Sequence, residues 1–230
     1  MADVFDYLAW RGDIPFSLDP FNRIDNLLLT LMSYIDYEGI LKEDPDCWMT
    51  IREISERYFK LHTEEEIQAR GMIYRIAPTL LPVMAESPRF SDIQMGNYVN
   101  LVGYTPDEQF SAVTLIPGDG PVFAAFRGTD ESIAGWREDF TFSFRTCTAG
   151  QKYAAEYLNR YFREDTRKIR VGGHSKGGNF AVYASSFCDS GIQDRIIEVC
   201  SYDGPGFMEE VTRQPGYERI LPRVKSFVPE

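Results

Sequence analysis

Residues 168–202 set the tightest constraint on what this chain can fold into. A short apolar-leaning run, Lys168 to Gly172, leads into Val171-Gly172-Gly173-His174-Ser175-Lys176-Gly177-Gly178-Asn179-Phe180. An alanine-rich stretch, Asn179 to Cys188, follows, and Ile196 to Tyr202 is apolar again. Strand, glycine turn, helix, strand is the pattern of two parallel strands joined by a crossover helix. The surrounding sequence extends it. Gln109 to Ile116 and Val122 to Phe126 read as strands joined at Pro117-Gly118-Asp119-Gly120, a hairpin with a four-residue loop. Ala149 to Arg163 reads as a helix carrying Tyr153, Tyr157 and Tyr161 at i, i+4 and i+8, and Arg223 to Val228 reads as the start of one more strand. The expected fold class is α/β, a mostly parallel sheet flanked by helices.

The first ninety residues have a different texture and predict helices. Leu27, Leu28, Leu31 and Ile35 share one helical face, with Asp19-Pro20 as its opening and Gly39 near its close. Thr50-Ile51-Arg52-Glu53 and Thr63-Glu64-Glu65-Glu66 have the form of capping boxes. They predict one amphipathic helix carrying Met49, Ile51, Ile54 and Tyr58 and another from Glu64 towards Ala77, after which Pro78, Pro82 and Pro88 punctuate the chain. The expected division is an N-terminal helical region over 1–92, packed on a core over 93–230. At 230 residues this is one large domain or a domain with an appendage.

Gly173-x-Ser175-x-Gly177, preceded by a strand and followed by a helix, fits a nucleophile elbow. Such a turn strains the serine backbone, needs small residues on either side and lifts Oγ above the sheet edge. It also aims the next amide, Lys176 N–H, at a developing oxyanion beside a helix N-terminus. Two phosphate-binding alternatives fail on spacing. Lys176 follows Ser175 rather than a G-x-x-x-x-G run, and Gly172 and Gly173 are adjacent where G-x-G-x-x-G needs a gap. A second oxyanion donor is expected from the loop after an earlier strand, and Phe126-Arg127-Gly128-Thr129-Asp130 offers the Thr129 N–H. Arg127 reads as an anchor for that loop, paired with Asp139 or Glu138.

Composition narrows the partners. A net charge of −11 argues against nonspecific nucleic-acid binding and against docking on anionic membranes. Cys47, Cys147, Cys188 and Cys200 are scattered without a C-x-x-C pair, which disfavours a zinc site or disulfide framework and suits a reducing cytoplasm. The acidic start Met1-Ala2-Asp3 lacks the basic region of a signal peptide, and the longest apolar patch, near Leu27 to Met32, is too short to span a membrane. A cytoplasmic location is therefore expected. Asp44, Asp46 and Glu64-Glu65-Glu66 read as solvated charges, Trp10, Trp48 and Trp136 as core or pocket wall, and the three tyrosines as helix packing.

Phe126-Arg127-Gly128-Thr129, Trp136-Arg137-Glu138-Asp139 and Gly173-His174-Ser175-Lys176-Gly177-Gly178 together resemble the class 3, or fungal-type, lipases. Those carry an F-R-G-S/T strand end, a W-x-x-D element and a G-H-S-x-G-G elbow. Lysine after the serine, and the run Ser201-Tyr202-Asp203-Gly204-Pro205-Gly206-Phe207, make the chain more similar to the Mbeg-like family of bacterial proteins in the α/β-hydrolase superfamily. The likeness spans about residues 97–230. It implies an α/β-hydrolase-like core and a serine esterase or lipase-like hydrolase acting on a small ester or lipid, with no metal or cofactor. Lys176 departs from the apolar residue usual in class 3 lipases.

A serine nucleophile needs a histidine base and an orienting carboxylate, in this fold in the order Ser, Asp, His. The two histidines both precede Ser175: His174 is its neighbour and His62 lies far upstream, before a helix cap. The catalytic histidine is thus expected beyond Glu230. Asp203, at the end of the strand after the elbow helix, is the candidate acid, or else a turn residue accepting local backbone bonds. Two functions remain open: a serine hydrolase, and a hydrolase-fold binding protein that keeps the elbow without a complete triad.

Overall fold

The computed structural model describes residues 3–44, 46–102, 109–129 and 147–228. It is an α/β fold: a central, largely parallel sheet flanked by helices, with an N-terminal helical region. The helices of that region are α1 (Val4–Arg11), α2 (Arg23–Leu31), α3 (Ile51–Leu61), α4 (Glu64–Gln68) and α5 (Met72–Glu86). The sheet runs in chain order through β1 (Met49–Thr50), β2 (Gln94–Val102), β3 (Gln109–Ile116), β4 (Val122–Phe126), β5 (Ile169–His174), β6 (Ile196–Tyr202) and β7 (Val224–Phe227). Pairings from β1 to β4 are antiparallel; those from β4 to β7, which carry the elbow, are parallel. The later helices are α6 (Ala149–Phe162), α7 (Lys176–Phe187), α8 (Ser190–Gln193), α9 (Glu209–Thr212) and α10 (Pro215–Ile220).

Helices cover both faces, which explains why β4 is apolar at every position. Phe123 and Ala125 join a core with Leu28, Leu29, Ile54, Leu80 and Leu81 of the N-terminal helices. Val122, Ala124 and Phe126 point the other way, into a core with Leu158, Phe180 and Ile220. On β5 the same alternation brings Arg170 over the Phe21 ring and His174 against Tyr34 on the N-terminal side, while Ile169 and Val171 enter the opposite core.

The N-terminal layer is held by a buried ion pair. Arg89 donates from Nη2 and Nε to the two oxygens of Asp25, at 2.6 and 2.8 Å, with both side chains fully buried. The guanidinium also reaches the carbonyls of Ile14, Asp19 and Pro20 and lies 4.2 Å from the Phe16 ring centroid. Asp25 in turn accepts from the Tyr7 hydroxyl and the Asn22 amide. Saturated hydrogen bonding of this kind is what makes a buried charge tolerable.

Several local expectations shift. Met49 lies in β1, ahead of the Thr50 cap, and not on α3. Asn22, not Asp19-Pro20, opens α2, because its side chain caps Ile24 and Asp25 while Asp25 reaches back to its amide. The helix tightens into a turn at Met32–Tyr34, well before Gly39. The stretch after Thr63 is two helices: α4 stops at Gln68, and α5 runs straight through Pro78 and Pro82 to Glu86. An interior proline costs about 3 kcal/mol. Here burial of Ala77, Leu80, Leu81 and Met84 on one face offsets it. Trp10 is 66% exposed, since α1 buries only Leu8. Trp136 lies outside the described residues. The four cysteines Cys47, Cys147, Cys188 and Cys200 are free thiols, and no helix among the described residues is long and apolar enough to cross a membrane.

Asp25→Asn should cost about 3–5 kcal/mol, because it strands the Arg89 charge in the interior. Urea denaturation would measure this, and a midpoint equal to that of the parent would refute a supporting role for the pair.

Candidate active site

Ser175 occupies the single residue between β5 and α7, with φ 54° and ψ −130°. A left-handed φ at a non-glycine residue is strained. The turn is forced by what surrounds it. The Ser175 amide donates to the Tyr202 carbonyl of β6 at 2.8 Å, continuing the parallel ladder one residue past the strand. Its own carbonyl accepts from the Gly178 amide at 2.8 Å, which already belongs to the helix. The side chain makes no capping bond to α7, so the hydroxyl is not spent on the helix it precedes.

Space at the turn permits only glycine on either side. A Cβ on Gly173 would overlap the Gly177 carbonyl and come within 2.7 Å of the Gly178 nitrogen. On Gly177 it would overlap the Phe126 carbonyl and sit 2.8 Å from the Arg127 carbonyl carbon. The helix therefore starts in direct backbone contact with the end of β4, and this contact brings the Arg127-Gly128-Thr129 loop to the elbow. Gly128 is wedged equally tightly, its missing Cβ facing the Tyr34 hydroxyl and the His174 carbonyl. Arg127 is buried, its amide bonded to the Ser111 carbonyl and Nη2 to Asn100 Oδ1 at 2.9 Å. Asp130, Glu138 and Asp139, the latter two its expected partners, lie outside the described residues.

Lys176 and Asp203 flank the serine differently. The Lys176 side chain is 1% exposed and runs back under the sheet, where Nζ donates to Gln109 Oε1 at 3.0 Å beside the Phe180 ring. Asp203 follows β6 directly, is exposed, has φ 53° and donates its amide to the Phe227 carbonyl at 2.7 Å. Since Tyr202 pairs with His174, Asp203 lies beside the elbow at the same sheet edge. Its charge opposes the dominant effect of burial, which holds the His174 imidazole below its usual pKa. His174 Nδ1 is engaged with the Tyr34 hydroxyl at 2.7 Å. His62 follows α3 and packs at a tilt against Tyr58, with ring centroids 4.4 Å apart.

Sequence reasoning did not single out the buried Asn179. Its Nδ2 donates to the Pro205 and Gly206 carbonyls, and its Oδ1 accepts from Gln151, whose own amide is capped by Thr148. One amide thus binds the turn after Asp203, the elbow helix and the start of α6 together. A polar residue at the small-residue turn of a buried helix is the only local sign of it.

The family model that matches this chain covers residues 84–230, from the last turn of α5 onward. The chain belongs to the Mbeg1-like family. The Mbeg1-like segment thus contains β2 to β7, Thr129, Ser175, Lys176 and Asp203, and leaves out most of the N-terminal helical layer. Among solved structures, the chain is similar to a fungal lipase in an inhibitor complex, described as a model for interfacial activation in lipases. That match has 13% identity and a TM-score of 0.46, covering 89% of this chain and 69% of the other. No curated protein matches.

Two substitutions separate strain from crowding. Ser175→Gly should stabilise the fold by about 1–2 kcal/mol by relieving the left-handed φ, seen as a rise of roughly 2–8 °C in melting temperature for a chain of this length. A fall would contradict stored strain at the turn. Gly173→Ala should be severely destabilising, whereas Gly206→Ala, with open space around its Cβ, should change stability by no more than about 0.5 kcal/mol.

Proposed function

We propose that this chain is a serine hydrolase of the esterase or lipase type, taking a small ester or lipid as substrate. The observation that carries the reading is Ser175 itself: a left-handed serine between strand and helix, with its hydroxyl left uncapped. Backbone strain of this kind persists where the surroundings over-determine it, as Gly173 and Gly177 do here.

In this reading Ser175 Oγ attacks the acyl carbon and its proton passes to a base. The carbonyl oxygen gains the charge, and the backbone N–H groups of Lys176 and Thr129 receive it. Collapse of the tetrahedral adduct expels the protonated alcohol and leaves an acyl ester on Ser175. Water then adds to that ester, the acid departs, and the serine is restored. Asp203 is the proposed acid of the triad, supported by its place beside the elbow. No metal or cofactor is required by these steps.

One observation favours a second reading, a binding protein on the same scaffold. Neither histidine is disposed as the base: His174 is engaged by Tyr34, and His62 is packed against Tyr58. The hydrolase reading therefore needs a base from elsewhere than these two.

A fluorophosphonate probe should add once to Ser175 by intact mass, slowly because neither histidine serves as its base, and Ser175→Ala should abolish the adduct. Turnover of short p-nitrophenyl esters by the 230-residue chain should stay within about 10³-fold of the uncatalysed rate, the residue of catalysis left when a triad is incomplete. Failure to label would favour the binding reading, and labelling that survives Ser175→Ala would discard Ser175 as nucleophile.

A further inference from the structure

Two tyrosines that precede the family-matched segment reach into the site from the N-terminal layer. Tyr34, in the turn after α2, is buried, and its hydroxyl lies 2.7 Å from His174 Nδ1 and 3.2 Å from the His174 carbonyl oxygen. It can satisfy both by accepting from Nδ1–H and donating to the carbonyl. The same hydroxyl fills the space a Cβ on Gly128 would need. Tyr74, on α5, donates its hydroxyl to the Thr129 carbonyl at 3.3 Å. The two rings stand edge to face with centroids 5.3 Å apart. Both residues lie before position 84, where the family match begins.

His174 and Gly128 immediately precede Ser175 and Thr129, so these contacts grip the two segments that carry the proposed oxyanion donors. Two N–H groups can share one oxygen only if their segments keep a fixed separation, because hydrogen bonds weaken steeply with distance and angle. β4 and β5 are paired up to Phe126 and Gly173, and beyond that point the sheet no longer sets the spacing. We propose that Tyr34 and Tyr74 are positioning residues that set the gap between the Gly128-Thr129 loop and the elbow, making the N-terminal layer part of the site's construction. This rests on the serine hydrolase reading of Ser175. Tyrosine is well suited to such a clamp, because its ring is rigid and its hydroxyl donates and accepts at once.

Tyr37 supplies a matched control. It is equally buried in the same stretch of chain, yet its hydroxyl donates to the nearby Met32 carbonyl, at 2.7 Å, within the N-terminal layer itself. The experiment measures labelling of Ser175 by a fluorophosphonate in the full 230-residue chain, resolving the maximal rate kinact from the half-saturating concentration KI, alongside thermal melts. Tyr34→Phe and Tyr74→Phe should each lower kinact by about 10-fold, a fraction of the roughly 10²–10³ that deleting an oxyanion donor costs, with KI nearly unchanged. Tyr37→Phe should lower the melting temperature and leave kinact at the parent value. If both site variants lose stability alone and keep kinact, the proposal is overturned while the serine hydrolase reading stands. If the parent chain fails to label, that reading falls and takes the proposal with it. Should Tyr34→Phe not fold, the half-buried Tyr74 decides the matter: a kinact equal to the parent's overturns the clamp.

Discussion

Everything near the site depends on two adjacent glycines in β5 that accept helices from opposite faces of the sheet. A Cβ on Gly172 would overlap Thr30 Oγ1 and come within 2.9 Å of Asn26 Oδ1, both on α2. A Cβ on Gly173 would overlap the Gly177 carbonyl, on α7. Successive residues of a strand point to opposite faces, so this dipeptide lets one strand be pressed from both sides at once. The consequence is mechanical. α2 cannot shift without moving β5, and β5 cannot shift without moving the turn that holds Ser175. The N-terminal layer and the elbow are coupled by van der Waals contact before any hydrogen bond is counted.

Polar ties then fix the parts that this contact brings together. Asn26 on α2 donates to Glu198 of β6, and Tyr202 donates its hydroxyl to the Arg23 carbonyl, locking the N-terminal layer to the strand beside the elbow. Across the sheet, Asn179 and Gln151 join α7 to α6 and to the 205–206 turn. The side chains of Asn26, Tyr202, Asn179 and Gln151 are buried and that of Glu198 half-buried, so each would cost free energy if left unpaired. They specify a single arrangement, since any slip of one element strands several polar atoms together. The Asp25 and Arg89 pair plays the same part further from the site, tying α2 to the loops around α1 and to the segment after α5.

The parallel half of the sheet was legible because its signals are local. Val122 to Phe126 and Ile196 to Tyr202 coincide with β4 and β6, and the boxes at Thr50 and Thr63 cap α3 and α4 as expected. The strand-turn-helix at Ser175 could be read because only glycine fits beside such a turn. What escaped was set by tertiary contact. β2 gave no clear period, since its pairing with β3 shifts register between Gly96 and Val99, where Asn97 takes φ 50°. The bulge is held from outside: the Tyr157 hydroxyl donates to the Asn97 carbonyl at 2.9 Å. Pro78 and Pro82 read as breaks because propensity is blind to the core that α5 covers. Tyr34 and Tyr74 carried no signal at all, for nothing in their neighbourhoods in sequence foretells contacts 140 and 55 residues away.

The same alternation that admits two helices also decides what His174 can do. It precedes Ser175 in sequence, yet adjacency along a strand is separation across it. Arg170, Gly172 and His174 all face the N-terminal layer, and there the imidazole finds Tyr34. Ser175 is the first residue past the strand, and its positive φ turns it out of the alternation. A histidine pinned by Tyr34 on the N-terminal face, with burial favouring its neutral form, is suited to holding the strand end in place. It is poorly suited to taking a proton from the next residue, because its Nδ1 is already engaged by the Tyr34 hydroxyl. Position in the pleat, more than distance along the chain, is what places His174 against the N-terminal layer and turns Ser175 away from it.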